Sequence, residues 1–490
     1  MRTQLFIDGT WQDSQSQLTY IRVNPANPDE ILGEFQRGNS EDAKWAIDAA
    51  EDAQLGWADT PPPKRADYVL RAAELLLDQK EDFASTITRE MGKVLEDSRQ
   101  EVQQAIDLAY YIAGEGRRLL GHTMTSEREG KFAFTMRMPI GVIGLITPWN
   151  FPILILARKL LYSLVCGNTV VLKPSSEAPM CSCKLVEVLR QVGIPKGTVN
   201  LVTGSGEVVG NTIVTHKHVR LVSFCGHRDT GAEIMKAAGP KRVSLELGGK
   251  NPLIVMDDAD LGLAAHGVVW SGYATTGQRC TAASRVIVHE KIKSKFEAMV
   301  AEQMKHLRIG NGLDPETNVG PLVNKKAQDK MVEYCQIGQS EGAKLVTGGK
   351  IPNSLKGWYF EPTLLGECCS DMQVCKDEIF GPIVSMLSAK DLDEAIDIAN
   401  CVDYGLSSAI YTTNISNAFT AIKRLQAGLT YVNHPTVGSE AHMPFGGVKY
   451  SGNNRESGPE GVNEFTELKT VVIDYHAVQH GASKLSYGPP

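Results

Sequence analysis

The chain has 490 residues, 42% of them hydrophobic and 22% charged, an ordinary globular composition and a length that suits two or three domains better than one core. A formal net charge of −7 gives no electrostatic footprint for nucleic acid, and no run of about 18 apolar residues is present to span a membrane. The start Met1-Arg2-Thr3-Gln4-Leu5 lacks the apolar core of a secretory signal, and ten scattered cysteines show no zinc-site spacing, so a cytoplasmic protein with reduced thiols and no metal is expected.

In chain order, the first third carries apolar residues at three- and four-residue spacing, which predicts helices over 43–53, 64–80 and 97–113. From Gly141 the texture changes. Short apolar runs at 142–147, 169–172, 199–202, 221–224 and 253–256 predict strands, with amphipathic stretches such as 183–192 and 208–215 between them. That alternation is the signature of βαβ units and a parallel sheet, whose ligands sit at the carboxyl ends of the strands. A second α/β stretch begins near Leu261, with strands at 285–289 and 408–412 and helices at 292–306, 326–340 and 392–400. Residues 471–475 read as a last strand, and the aperiodic 476–490 as a flexible tail.

Unusual residues cluster where strands end. Asn150, in Pro148-Trp149-Asn150-Phe151-Pro152, offers an amide donor for a developing oxyanion; the same segment also reads as a rigid turn packing its aromatics. Lys173-Pro174 follows the next strand, where a lysine suits ribose or phosphate and is equally at home in solvent. Gly226-His227-Arg228-Asp229-Thr230-Gly231 is a glycine-bracketed turn into a helix, a shape suited to pyrophosphate. Glu246 stands before Gly248-Gly249, placed as a general base or as a solvated glutamate. Cys280, in Gly277-Gln278-Arg279-Cys280-Thr281, is expected at an element terminus, either a thiol whose pKa the neighbouring arginine lowers or a buried structural cysteine.

Read together, Thr147-Pro148-Trp149-Asn150-Phe151-Pro152, Lys173-Pro174, Leu245-Glu246-Leu247-Gly248-Gly249-Lys250-Asn251, Gly277-Gln278-Arg279-Cys280, Glu378-Ile379-Phe380-Gly381-Pro382 and Pro444-Phe445-Gly446-Gly447-Val448-Lys449 resemble the aldehyde dehydrogenase superfamily. The resemblance runs from about Leu5 to Tyr475. It implies an α/β fold: a Rossmann-like cofactor domain (1–120 and 139–255), an α/β catalytic domain (256–425) and a small β oligomerisation extension (121–138 and 460–475). Residues 426–459 would return to the cofactor side as a substrate-tunnel loop, and a homodimer or homotetramer would follow.

The same resemblance implies roles. Cys280 would attack the aldehyde, Asn150 would hold the oxyanion, Glu246 would activate water against the thioester, and Lys159 would assist proton movement. The presence of Glu246 favours water over coenzyme A as acyl acceptor. Thr147, Pro148, Trp149, Lys173, Ser176, Gly226, Gly231, Glu378 and Phe380 would meet the nicotinamide dinucleotide. NAD-selective relatives often have glutamate at the Ser176 position, so NADP use, or use of both, is expected. His227 replaces the usual small hydroxyl residue after Gly226.

For the substrate, Arg158 resembles the arginine of succinic semialdehyde dehydrogenases, where it grips a distal carboxylate. Arg279 is either a second positive group or a structural ion pair. Phe151, Ser439 and His442 complete the expected substrate set, and the 433–447 loop looks most like that of 2,5-dioxopentanoate (α-ketoglutaric semialdehyde) dehydrogenases. Succinic semialdehyde and a broad aldehyde range are the alternatives. A retired structural relative or a cofactor-free esterase fits less well, because the thiol, carboxylate and amide and the cofactor residues are all present.

Overall fold

The computed structural model describes residues Arg2–Tyr475, so the segment read as a tail, 476–490, lies outside the described residues. Five parallel strands, Val142–Thr147, Thr169–Pro174, Val199–Leu201, Val219–Cys225 and Arg242–Glu246, form the body of a seven-stranded sheet. Val142–Thr147 lies in the middle, with the next two strands to one side and the last two to the other. Leu5–Ile7 and Thr10–Gln12 extend one edge in antiparallel fashion. Every residue of Val142–Thr147 and Thr169–Pro174 is buried, as a parallel sheet covered on both faces requires. Where the order reverses, the carboxyl ends of Val142–Thr147 and Val219–Cys225 part and leave a crevice for a ligand.

A second seven-stranded sheet is built around Asn251–Val255 and Ala283–His289, paired in parallel, with Ser407–Tyr411 and then Leu429–Val432 outside the first of these. A third sheet is antiparallel: Thr466–Asp474 pairs along its whole length with Lys131–Pro139, and Thr123–Met124 lies beyond. Thr466–Asp474 is an edge strand, and Leu468, Val472 and Ile473 on it are exposed.

The largest core lies between the first sheet and the N-terminal helices Pro62–Asp78, Lys80–Met91 and Leu95–Glu115. Lys80–Met91 is a helix that hydrophobic periodicity does not show, because polar Thr86, Thr88 and Glu90 are on its buried face. Thr86 bonds back to Asp82, and Glu90 accepts the Met180 N–H at 2.7 Å, so these residues are satisfied inside the core. The helix expected over 208–215 is split into a π turn, Gly206–Gly210, and a single helical turn, Asn211–Thr215.

Candidate active site

Three consecutive left-handed residues precede the thiol. Thr275 (φ 53°), Thr276 (φ 59°) and Gly277 (φ 67°) lie in the turn after the helix Leu261–Tyr273. Two threonines there are strained, and their surroundings hold them. The Asp97 carboxylate accepts from Thr275 N (3.1 Å) and Oγ1 (3.0 Å), and Thr276 Oγ1 donates to Gly320 O at 2.9 Å. A Cβ on Gly277 would stand 2.3 Å from Gly381 O, so only glycine fits the close approach. Beyond Cys280, the Asn251 side chain donates to Cys280 O (2.8 Å) and Ala282 O (2.9 Å), which fixes the start of the Ala283–His289 strand.

Cys280 sits where two cavities meet. One, of about 430 Å³, is lined by Phe151, Arg158, Arg279, Ser439, His442 and Glu246 among others. The other, of about 650 Å³, opens from the sheet's reversal point past Trp149, Asn150, Gly226, Gly248, Glu378 and Phe380. Both cavities reach the thiol, so a molecule in each could approach the same sulfur.

The electrostatics correct one expectation. The thiol is pushed up to about 12, by burial first and then by the Glu378 and Glu246 carboxyls, and the charge drawing it down is Arg158's. Arg279 is tied instead to Asp97 (3.2 Å) and to Thr275 Oγ1 (2.9 Å), the structural pairing. Its guanidinium also lies over the rings of Trp270 and Phe151, at 5.3 and 5.8 Å. Glu246 ends the Arg242–Glu246 strand with both carboxyl oxygens buried and without hydrogen-bond partners. Burial, with Glu456 and Glu464 nearby, holds it well above the ordinary carboxylate range. Such a carboxyl is the kind that takes up a proton readily.

Asn150 is buried and gives one amide hydrogen to Gln278 O at 3.0 Å; an amide has two, so a second donor remains at the cavity that holds the thiol. Arg158 lies 3.5 Å from Glu456 and stacks over Phe445 at 4.6 Å, while its Nε is buried without a partner. Ser439 Oγ, in the same cavity, is likewise buried and unpartnered, and His442 lies at the more exposed end. Lys159 departs from expectation. Its Nζ is fully buried in an ion pair with Glu456 and donates to Ser223 Oγ at 2.8 Å, so it stands inside a charge network rather than free beside the thiol.

On the other side, Lys173 is buried with its Nζ donating to the neighbouring Pro174 O at 2.9 Å, and burial alone lowers its pKa to about 8. Ser176 donates to Gly204 O at 3.2 Å. Glu177 turns to Arg22 (2.6 Å) and Asn324 (3.0 Å) and does not replace the glutamate absent from position 176. Glu378 accepts Gly249 N–H at 3.1 Å and is pushed up to about 7 by burial. A Cβ on Gly248 would stand 2.1 Å from that carboxylate. Trp149 and Phe380 meet edge to face with ring centres 5.5 Å apart, Phe380 in the left-handed region at φ 59°. Thr147 and Pro148 lead into this wall from the central strand. Gly231 packs on Leu247, and His227 caps the helix Arg228–Ala237 by accepting Asp229 N–H at 3.3 Å, so one N–H of that turn is already engaged.

Sequence reading missed Glu456, Asp97 and Glu101, the carboxylates that pair with the cavity's cations. For Glu456 a signal existed: a charged run, Arg455-Glu456, inside the glycine-rich loop after Pro444-Phe445-Gly446-Gly447.

Comparison with known proteins agrees with this arrangement. The Aldehyde dehydrogenase family profile matches residues 11–471. The chain is 38% identical over 474 residues to the alpha-ketoglutaric semialdehyde dehydrogenase of Bacillus subtilis (strain 168), covering 96% of this chain and 97% of that protein. It is 41% identical over 458 residues to the 2,5-dioxopentanoate dehydrogenase of Saccharolobus solfataricus, covering 92% and 95%. Among solved structures, betaine aldehyde dehydrogenase of Staphylococcus aureus, in complex with NAD+, superposes with a TM-score of 0.95 at 35% identity, covering 96% of each chain. The chain therefore belongs to the aldehyde dehydrogenase family and is an oxidoreductase acting on the aldehyde group.

Proposed function

We propose that this protein oxidises an ω-oxo carboxylate, 2,5-dioxopentanoate foremost, to the dicarboxylic acid through a thioester on Cys280. The observation that carries the reading is Arg158: a buried guanidinium in the thiol's cavity with an N–H that no group among the described residues uses. Around it stand two cations, Arg158 and Lys159, against the Glu456 carboxylate, while Glu246 and Glu464 are held toward their neutral forms. One anionic group completes that balance, and Ser439 Oγ offers it a further donor. A trimethylammonium aldehyde would meet the same cations unfavourably. The names of the two semialdehyde relatives support the same substrate.

Each step suits the residues present. Cys280, having given its proton to solvent water, adds as thiolate to the aldehyde carbon, and the second Asn150 amide hydrogen with the Cys280 backbone N–H would receive the oxyanion. When bound, a nicotinamide dinucleotide supplies the acceptor for the hydride that leaves this carbon. Glu246, in its ionised form and made more basic by burial, then takes a proton from water, whose oxygen attacks the thioester; the C–S bond breaks and the sulfur leaves as thiolate. Lys173 and Glu378 would hold the riboses, the helix start after Gly226 would receive the pyrophosphate, and the Trp149–Phe380 pair would flank the nicotinamide; Trp149, Gly226, Glu378 and Phe380 line the second cavity, and Lys173 lies outside that lining. The buried Lys173 ammonium, whose one protein acceptor is a backbone carbonyl, fits such a group. Uncharged Ser176 leaves room for a 2′-phosphate, so NADP serves as well as NAD.

The edge strand Thr466–Asp474 supports assembly: an edge that no other described strand pairs, with Leu468, Val472 and Ile473 exposed, is suited to pairing with a second copy. The substrate and cofactor readings are tested together by initial NADH and NADPH formation with 2,5-dioxopentanoate, succinic semialdehyde and pentanal. The reading expects the two acids to exceed pentanal in kcat/KM; a preference for pentanal overturns it.

A further inference from the structure

Helix Leu154–Val165 carries Arg158 and Lys159, and it starts badly. Its N-cap is Ile153, no side chain of its own caps it, and its first turn holds no acidic residue. Buried N–H groups at a helix start need acceptors. They are supplied from 52 residues upstream, where Glu101 Oε1 accepts Ile153 N–H at 3.0 Å and Leu154 N–H at 3.2 Å. Its other oxygen, Oε2, holds Lys93 Nζ at 2.5 Å, and both side chains are fully buried. Lys93 Nζ in turn stands 3.8 Å over the ring of Phe151, the residue that leads into this helix and lines the aldehyde-side cavity.

Glu101 is not alone on its helix. Asp97, one turn earlier on the same face of Leu95–Glu115, holds the strained Thr275 turn and Arg279, next to the thiol. One helix face thus fixes both walls of the cavity, Asp97 the wall that bears Cys280 and Glu101 the wall that bears Arg158.

We propose that Glu101 is a positioning residue for substrate selection: by capping Leu154–Val165 and charge-balancing Lys93, it sets the depth at which Arg158 meets the carboxylate end of the substrate. The proposal rests on the carboxylate-binding reading of Arg158. Withdrawing the cap lets the first turn, and Arg158 with it, shift, whereas Cys280 is held separately through Asp97 and Asn251. A shift of about 1 Å in a group that orients the substrate costs up to roughly a hundredfold.

The test compares wild type with Glu101→Asp, whose carboxylate is one methylene shorter, with Glu101→Gln, which keeps the acceptor oxygen without the charge, and with Arg158→Ala. The readouts are kcat/KM for 2,5-dioxopentanoate and for pentanal, and the rate of Cys280 alkylation by iodoacetamide. The expected result is a roughly ten- to hundredfold fall in the acid-to-pentanal ratio for Glu101→Asp, through KM for the acid, with a much smaller loss for pentanal. Glu101→Gln should fall between this variant and wild type. Equal losses with both aldehydes, or a wild-type ratio in Glu101→Asp, overturn the proposal. If Glu101→Asp proves too unstable to assay, Glu101→Gln alone decides by the same ratio. An Arg158→Ala variant that keeps the acid preference instead overturns the underlying reading of Arg158, so the two failures are distinguishable.

Discussion

The two cavities that meet at Cys280 are built in opposite ways. On the aldehyde side almost every charge already has a protein partner: Arg158 and Lys159 with Glu456, Arg279 with Asp97, Lys93 with Glu101. On the other side Lys173 is as deeply buried and Glu378 partly so, yet each bonds to a backbone group, Pro174 O and Gly249 N. Ion pairs preset the first cavity, where a small substrate brings few contacts of its own. On the second side burial moves both groups' pKa values toward neutral pH, Lys173 to about 8 and Glu378 to about 7.

The sharpest way to break this comparison is Arg158→Ala. If the preset guanidinium binds a substrate carboxylate, kcat/KM for 2,5-dioxopentanoate falls by about 2–5 kcal/mol in transition-state free energy, the cost of truncating one partner of a buried charge pair. Pentanal should lose only the smaller part that follows from less thiolate at Cys280; equal losses with both aldehydes would overturn the carboxylate reading of Arg158. On the nucleotide side the smaller expected effect separates binding from folding. Lys173→Met should raise the dinucleotide KM by about 1.5–3 kcal/mol, the value of a hydrogen bond to a charged group, while the melting temperature of the cofactor-free protein does not fall. A clear drop in that temperature would mean that Lys173 already has a structural task.

The pH dependence gives the finest distinction. Because the thiol is pushed up to about 12 and the reactive form is the thiolate, a higher pKa means less thiolate at any given pH. Alkylation of the cofactor-free protein should therefore still be rising steeply between pH 8 and 9.5, roughly tenfold per unit where the thiolate is scarce. Arg158→Ala should slow it further, since Arg158 is the charge that draws the thiol down. A plateau near pH 7 would contradict this.

Much of the frame was legible in the sequence. The strands over 142–147, 169–172 and 221–224 follow from contiguous apolar runs with glycine and proline boundaries, and the structure places each within a residue or two. Cys280, Glu246, Asn150 and Arg158 were singled out from their motifs, and they lie around the junction of the cavities. What the sequence hid was the wiring between them. Asp97 and Arg279 are 182 residues apart, and Lys159 and Glu456 are 297 apart. An isolated aspartate on an amphipathic helix carries no sign that it will hold a threonine turn in the left-handed region. For the same reason the sequence points to Arg279 for the thiol's electrostatics, since adjacency in sequence is visible and the approach of Arg158 through space is not. Helix Lys80–Met91 escaped because its buried face is partly polar.

The central claim is that chemistry occurs on Cys280 with Glu246 as the base for hydrolysis, and intact-protein mass spectrometry of Glu246→Gln tests it most directly. After mixing with 2,5-dioxopentanoate and dinucleotide, the account predicts one burst of reduced dinucleotide per site and an acyl adduct that maps to Cys280. Turnover at the wild-type rate, or an adduct on any other cysteine, would contradict it.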